Sequence, residues 1–202
     1  LEIAKRTGEF WTSSQRQAHN LHEVSYRACF KPQLPRYFIS RFTSPGDRVL
    51  DPFAGRGTTA IEAALMGRRV VANDANPLSE ILTRPRIQVP QLAAVISRLN
   101  EIDLTRSIDT GSDVDLSMFY HPSTFSQLLG LRSYLIERKQ AAEEDEIDRW
   151  IRMVATNRLT GHSPGFFSVY TLPPNQAVSR EAQLKINARR NQAPPPRDVK
   201  AI

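Results

Sequence analysis

A single cysteine, Cys29, in 202 residues excludes an internal disulfide and suits a reducing compartment, so we expect a cytoplasmic protein. Cys29 stands in no metal-ligand or paired-cysteine motif and is expected to be a small, half-buried residue. No apolar run approaches the roughly 20 residues that a membrane-spanning helix needs, which argues against a membrane role. The opening Leu1-Glu2-Ile3-Ala4-Lys5-Arg6 lacks the apolar core of a signal peptide. It also lacks a methionine, so a fragment or a processed chain is expected. Histidine is scarce as well. His19 and His22 lie close together without a third ligand nearby, and His121 and His162 stand alone, so no metal is expected.

What remains is an ordinary globular composition, 40% hydrophobic and 24% charged, on a chain long enough for one domain with an elaboration. The formal charge of +6 favours a polyanionic partner, because lysine and arginine release counterions when they meet phosphates. That argument gains weight only beside a site motif.

The chain divides by pattern. Residues 1–90 hold a lead-in followed by strand, helix, strand, helix. Within the lead-in, Leu34, Phe38 and Phe42 share one face of a helix over about 33–43. Pro45-Gly46-Asp47 ends that helix in a turn. Arg48–Phe53 is expected as a strand buried on both faces. Thr58–Met66 is expected as a helix burying Ile61 and Leu65 and stopped by Gly67. Arg69–Asn73 is the second strand, reached by a crossover in a parallel sheet. Residues 91–160 read as a helical insertion, with apolar faces through Leu92, Val95, Ile96 and Leu99, through Phe125, Leu128, Leu129, Leu135 and Ile136, and through Ile147, Trp150, Ile151 and Val154. The acidic run 143–148 reads as a solvated helix start.

Residues 161–202 read as loop-rich and basic: a strand over Phe166–Leu172, a helical Arg180–Arg190, and a stiff linker Ala193-Pro194-Pro195-Pro196. Asp198–Ile202 looks like the start of a further element. Arg180, Lys185, Arg189, Arg190, Arg197 and Lys200 form either a solvated face or a phosphate-contacting one.

The chemistry concentrates in Asp51-Pro52-Phe53-Ala54-Gly55-Arg56-Gly57-Thr58-Thr59, where an apolar strand runs into a glycine-rich turn and a helix opens. Gly55 and Gly57 permit unusual dihedrals and close approach of a ligand to the backbone. Thr58 and Thr59 start the helix with amides and hydroxyls free to face a pocket. Asp74 closes the second strand where a carboxylate can accept from both hydroxyls of a ribose. Asp51 ends the first strand, facing a cationic or donor-rich ligand. Ligands of open α/β sheets bind outside these strand ends, so the pattern reads as a site for a nucleoside-bearing cofactor. No Gly-Lys-Ser/Thr follows, which excludes a phosphate loop of the Walker type, and no third glycine completes a nicotinamide fingerprint.

This segment closely resembles the Asp-Pro-Phe-x-Gly-Ser-Gly-Thr-Thr motif of the DNA amino-methyltransferases, with Arg56 where that family usually has serine. Phe30–Ile39 followed by Pro45-Gly46-Asp47 looks like the family's companion motif at the methionine end of the cofactor. Val70-Val71-Ala72-Asn73-Asp74-Ala75-Asn76-Pro77 is similar to its second-strand motif, with Asp74 for glutamate. The resemblance covers about residues 28–80. It implies a doubly wound, Rossmann-like α/β sheet and S-adenosylmethionine as cofactor. It further implies methyl transfer to N6 of adenine or N4 of cytosine in DNA, as in restriction-modification. The implied cofactor-binding residues are Lys31, Pro32, Leu34, Asp51, Pro52, Phe53, Ala54, Gly55, Gly57, Thr58, Thr59, Asn73 and Asp74.

The family's catalytic Pro-Pro-aromatic string, which holds an extruded base, is missing. Leu172-Pro173-Pro174-Asn175 has neither the polar acceptor nor the ring and is expected as a turn; the catalytic motif is expected beyond Ile202. Two alternatives stand beside this reading. Some transfer-RNA guanosine-N2 methyltransferases carry a similar strand turn, and a truncated module binding cofactor or DNA without chemistry also fits. Trp11, Tyr26 and Phe30 are candidates to stack on a base or cofactor, against ordinary packing.

Overall fold

The structure, a computed structural model, describes residues 7–9, 18–24, 26, 29–106, 115–161, 163–168 and 178–202. Trp11, His162 and the Leu172-Pro173-Pro174-Asn175 string lie outside the described residues. The chain forms two compact units, Leu1–Ile87 and Gln88–Ile202. This division places 91–160 and the C-terminal segment in one unit, where the sequence pattern suggested two zones.

The first unit opens with a single 3-10 turn, Asn20–His22, and continues through α1 (Gln33–Phe42), β1 (Arg48–Asp51), α2 (Thr58–Leu65), β2 (Arg69–Ala72) and α3 (Leu78–Ile87). β1 and β2 pair in parallel, Arg48 with Arg69 through Asp51 with Ala72. Parallel neighbours require a crossover, and α2 supplies it. The architecture is mixed α/β with a two-stranded parallel sheet among the described residues. Each strand is one or two residues shorter than expected, because the chain turns as soon as ladder bonding stops at Asp51 and Ala72.

The expectation that β1 is buried on both faces needs correction. Its burial alternates, and Leu50 is 63% exposed, because the strand has one neighbour and one covered face. Leu65 is likewise exposed. The buried stretch of α2 is its first half, Thr58 and Ala60 to Ala63. Gly67, at φ +75°, then takes the left-handed conformation that ends the helix.

The second unit packs α4 (Leu92–Glu101), α5 (Pro122–Gln140) and α6 (Glu146–Arg158) around Val95, Leu104, Met118, Leu131, Leu135 and Ile151, and α7 (Arg180–Arg190) joins them through Asn187, whose side-chain amide donates to the Met118 carbonyl at 2.9 Å. His121 caps α5, its Nδ1 accepting from the Ser123 N–H at 3.3 Å. Gly130 lets α5 meet the backbone of Leu104; a Cβ there would stand 2.1 Å from the Leu104 carbonyl oxygen. The acidic run is not simply solvated: Asp145 and Asp148 form a capping box, and the Asp148 side chain is fully buried. On α4, Val95 is buried as expected, but Leu92 and Ile96 are exposed.

The expected linker and unfinished terminal element are also corrected. The Thr124 hydroxyl donates to the Arg197 carbonyl at 2.9 Å, and the Val199 N–H donates to Gln127 at 2.9 Å. Val199 thereby enters the core, so the segment is packed against α5. Of the expected strand at Phe166–Leu172, the described part makes one bridge, Thr160 with Ser168.

Candidate cofactor site

The site is built at the carboxyl ends of β1 and β2, where two turns are laced by backbone bonds. The Asn73 N–H donates to the Asp51 carbonyl at 2.9 Å, and the Ala54 N–H donates to the Asn73 carbonyl at 2.9 Å. Asp74 completes the lacing. Its Oδ2 accepts from the Gly55 N–H at 2.8 Å and its Oδ1 from the Asn76 N–H at 2.9 Å. Asn76 in turn accepts from the Leu78 N–H at 3.0 Å and opens α3. Asp74 therefore fixes the glycine turn against the turn after β2, a structural duty that the sequence pattern did not announce.

The Asn76 and Gly55 N–H bonds, in that order, hold the Asp74 carboxyl below its ordinary value, and partial desolvation opposes them. A carboxylate with a lowered folded pKa contributes stability that is present above the unfolded value and is lost as pH falls through the folded one. The acid arm of thermal stability, scanned from neutral pH to below the ordinary carboxylate range, is therefore expected to flatten in Asp74→Asn relative to the parent chain. Superimposable acid arms would remove Asp74 from the groups that drive acid unfolding.

Other expected site residues are distributed unevenly. Asp51 is half-buried, and its Oδ1 accepts from the Phe53 N–H at 3.1 Å. Phe53 is 86% exposed, Pro52 and Asn73 are exposed, and Ala54 is buried beneath the turn. Thr58 is buried, and its hydroxyl accepts from Arg56 Nε at 3.2 Å, a bond within the turn. Gly57, at φ +82°, is buried; a Cβ there would stand 2.4 Å from Thr83 Oγ1 of α3. The missing side chain is what admits α3. Leu34 and Thr59 meet instead in an apolar groove of about 380 Å³, with Phe30, Phe38 and Val49. Lys31 is exposed and Pro32 buried at the start of α1. Phe38 and Phe42, expected on one face of α1, stack at 6.2 Å and are exposed.

Sequence reasoning missed the polar network behind the turn. Arg56 Nη1 donates to the carbonyls of Val24 at 2.8 Å and His22 at 3.1 Å. Arg86 donates to the carbonyls of Leu21 and Leu82, at 2.7 and 2.6 Å, and to that of Arg56. Burial, with the Arg56 charge alongside, pulls the Arg86 guanidinium down to about 10. The His22 ring lies 2.8 Å from Glu62, both side chains being almost wholly buried, and Arg36 reaches the other Glu62 oxygen. Arg56 was visible as a departure from the motif, but its acceptors are carbonyls, which no side-chain pattern reveals. Cys29, expected half-buried, is exposed; its thiol faces the Tyr26 carbonyl at 3.5 Å. Among the described residues, no group of three or more His, Cys, Asp or Glu is placed to hold a metal ion.

Comparison with known proteins bears on the same segment. Residues 2–81 match the family described as DNA methylase. The chain is also similar to type II methyltransferases. M.MjaII of Methanocaldococcus jannaschii is 33% identical over 73 residues, 36% of this chain and 13% of that protein. M2.DpnII of Streptococcus pneumoniae is 38% identical over 93 residues, 44% of this chain and 33% of that protein. A tRNA (guanine(10)-N2)-dimethyltransferase of Methanothermobacter thermautotrophicus is 33% identical over 88 residues, 42% of this chain and 26% of that protein. The chain thus spans a third or less of each relative's length. No solved structure matches it.

Proposed function

We propose that the segment 2–81 is the cofactor-binding part of an S-adenosylmethionine-dependent DNA amino-methyltransferase acting on N6 of adenine or N4 of cytosine. In this reading β1 and β2 are two strands of a doubly wound Rossmann-like sheet. The single observation that carries it is the pair of turns at the strand tips, joined by Asp74. Each Asp74 oxygen spends one acceptor position on a backbone N–H and keeps another for a ribose hydroxyl. Gly55 leaves its turn without a side chain, and Asp51, Phe53 and Asn73 flank the tips.

When bound, the cofactor supplies a sulfonium methyl group. The chain's own residues bind and orient it, Asp74 at the sugar and Leu34, Pro32 and Lys31 at the amino-acid end. Positioning is the main requirement of such a transfer. The base-holding motif comes from outside residues 1–202. The second unit presents Lys185, Arg189 and Arg190 on the exposed side of α7, cations suited to the phosphates of DNA.

Calorimetric titration of the chain with S-adenosylmethionine is expected to give saturable binding. Asp74→Ala is expected to weaken it by roughly tenfold or more, the loss of a charge-assisted hydrogen bond together with the lacing of the turn. No heat of binding at millimolar cofactor would overturn the reading. The relative that acts on tRNA supports a second substrate class. Methyl transfer by the full-length protein to DNA but not to tRNA decides for the first.

A further inference from the structure

Tyr26, ahead of α1, lies against the glycine turn. The Tyr26 ring lies edge-on to Gly55: a Cβ at that glycine would stand 3.4 Å from Tyr26 Cε1 and 3.8 Å from Cδ1. The Tyr26 hydroxyl accepts from Asn76 Nδ2 at 3.5 Å, on the turn after β2. One half-buried ring therefore spans both turns that Asp74 ties together. Behind it residues 21–24 are pinned by Arg56 at the carbonyls of residues 22 and 24, by Arg86 at that of Leu21, and by His22 to Glu62. Arg56 belongs to the turn itself, so the turn and these residues are held by the same side chain.

From this geometry we infer that residues 19–24 and Tyr26, hereafter the strap, form the outer wall of the cofactor site, with Tyr26 as the ring that covers the nucleoside-bearing ligand and Arg56 as the positioning residue that holds the ring there. The inference rests on the cofactor reading above and adds a binding residue to it. A phenol suits the place, since it offers an apolar face to a flat heterocycle and a polar tip to the turn beyond. Arg56 reaches backbone acceptors on the strap and leaves the tips free of its own side chain. Tyr26 acts by contact, Arg56 only through Tyr26.

The test is calorimetry of the 202-residue chain with S-adenosylmethionine, with thermal unfolding run on every variant. Tyr26→Ala is expected to weaken binding by roughly tenfold, the usual effect of losing one aromatic stacking partner. Tyr26→Phe is expected to recover most of that affinity. Arg56→Ser is expected to cost about as much as Tyr26→Ala, Arg56→Lys to restore part of it, and the double variant Y26A/R56S to be no weaker than the worse single one, because coupled residues are non-additive. Amide exchange at residues 20–24 is expected to quicken in Arg56→Ser. If Tyr26→Ala fails to unfold cooperatively, Tyr26→Leu replaces it, with the same loss expected. Binding by the Tyr26 variants equal to that of the parent overturns the inference and leaves the cofactor reading standing. Additive losses in Y26A/R56S overturn the assignment of Arg56. A parent chain that does not bind overturns both readings together.

Discussion

Asp148→Ala is expected to lower the stability of the second unit by about 3–5 kcal/mol, the range for removing one member of a buried ion pair. The carboxylate is fully buried and every near neighbour donates to it. Oδ1 accepts from Arg98 Nη1 at 2.7 Å and from the Tyr134 hydroxyl at 3.0 Å. Oδ2 accepts from Arg138 Nε at 3.0 Å and from the Asp145 N–H at 3.3 Å. These partners come from α4, from α5 and from the cap of α6, so one side chain joins three helices. Its loss empties a fully buried site and takes one carboxylate from each of two arginines, leaving Arg98 with Asp145 and Arg138 with Glu143, and Arg98 is only 20% exposed. Denaturant unfolding followed by far-ultraviolet dichroism reads the loss. Asp148→Asn keeps the shape without the charge and is expected to fall between parent and alanine variant. A change below about 1 kcal/mol, the level of an exposed pair, would show that the network is solvated in solution.

The same network shows where sequence reading reaches and where it stops. The strand, glycine turn, helix and second strand were legible because their signals are local: the apolar run, the glycines at 55, 57 and 67, and an acidic residue at the next strand's end. Boundaries moved by a residue or two because turns begin where ladder bonding ends. Asp148 was not legible. Asp145-Glu146-Ile147-Asp148 has the spacing of a capping box, yet its burial depends on Arg98, which is 50 positions away. The same holds for Arg56, whose acceptors lie 32 and 34 positions back along the chain. Leu50 failed in the opposite sense: an apolar strand was read as buried on both faces, but the two-stranded sheet of the described residues leaves one face of β1 uncovered. The C-terminal prolines were read as a spacer because composition records stiffness, not the hydrogen bonds that Thr124 and Gln127 make to the following residues.

Of the four glycines of the first unit that adopt a left-handed φ, Gly46, Gly55 and Gly57 differ in their surroundings, and alanine at each of these three is expected to separate backbone strain from crowding. At Gly46, φ +90°, nothing lies within 4 Å of an added Cβ. Gly46→Ala should therefore cost only the strain of that conformation, about 1–2 kcal/mol. At Gly55, φ +52°, the Cβ would meet Tyr26 at 3.4 Å, an ordinary contact, so a similar loss is expected. At Gly57, φ +82°, it would stand 2.4 Å from Thr83 Oγ1 and 2.5 Å from Thr83 Cγ2. Overpacking then adds about 1–3 kcal/mol to the strain. Because α3 must shift to admit the methyl group, the turn at the strand tips should shift with it. Gly57→Ala is thus expected to show the lowest unfolding midpoint of the three and to lose cofactor binding. Gly57→Ala/Thr83→Gly should regain the crowding part and not the strain. Equal midpoints for the Gly46 and Gly57 variants would mean that α3 does not press on the glycine turn, and Gly57 would then matter for its backbone angle alone.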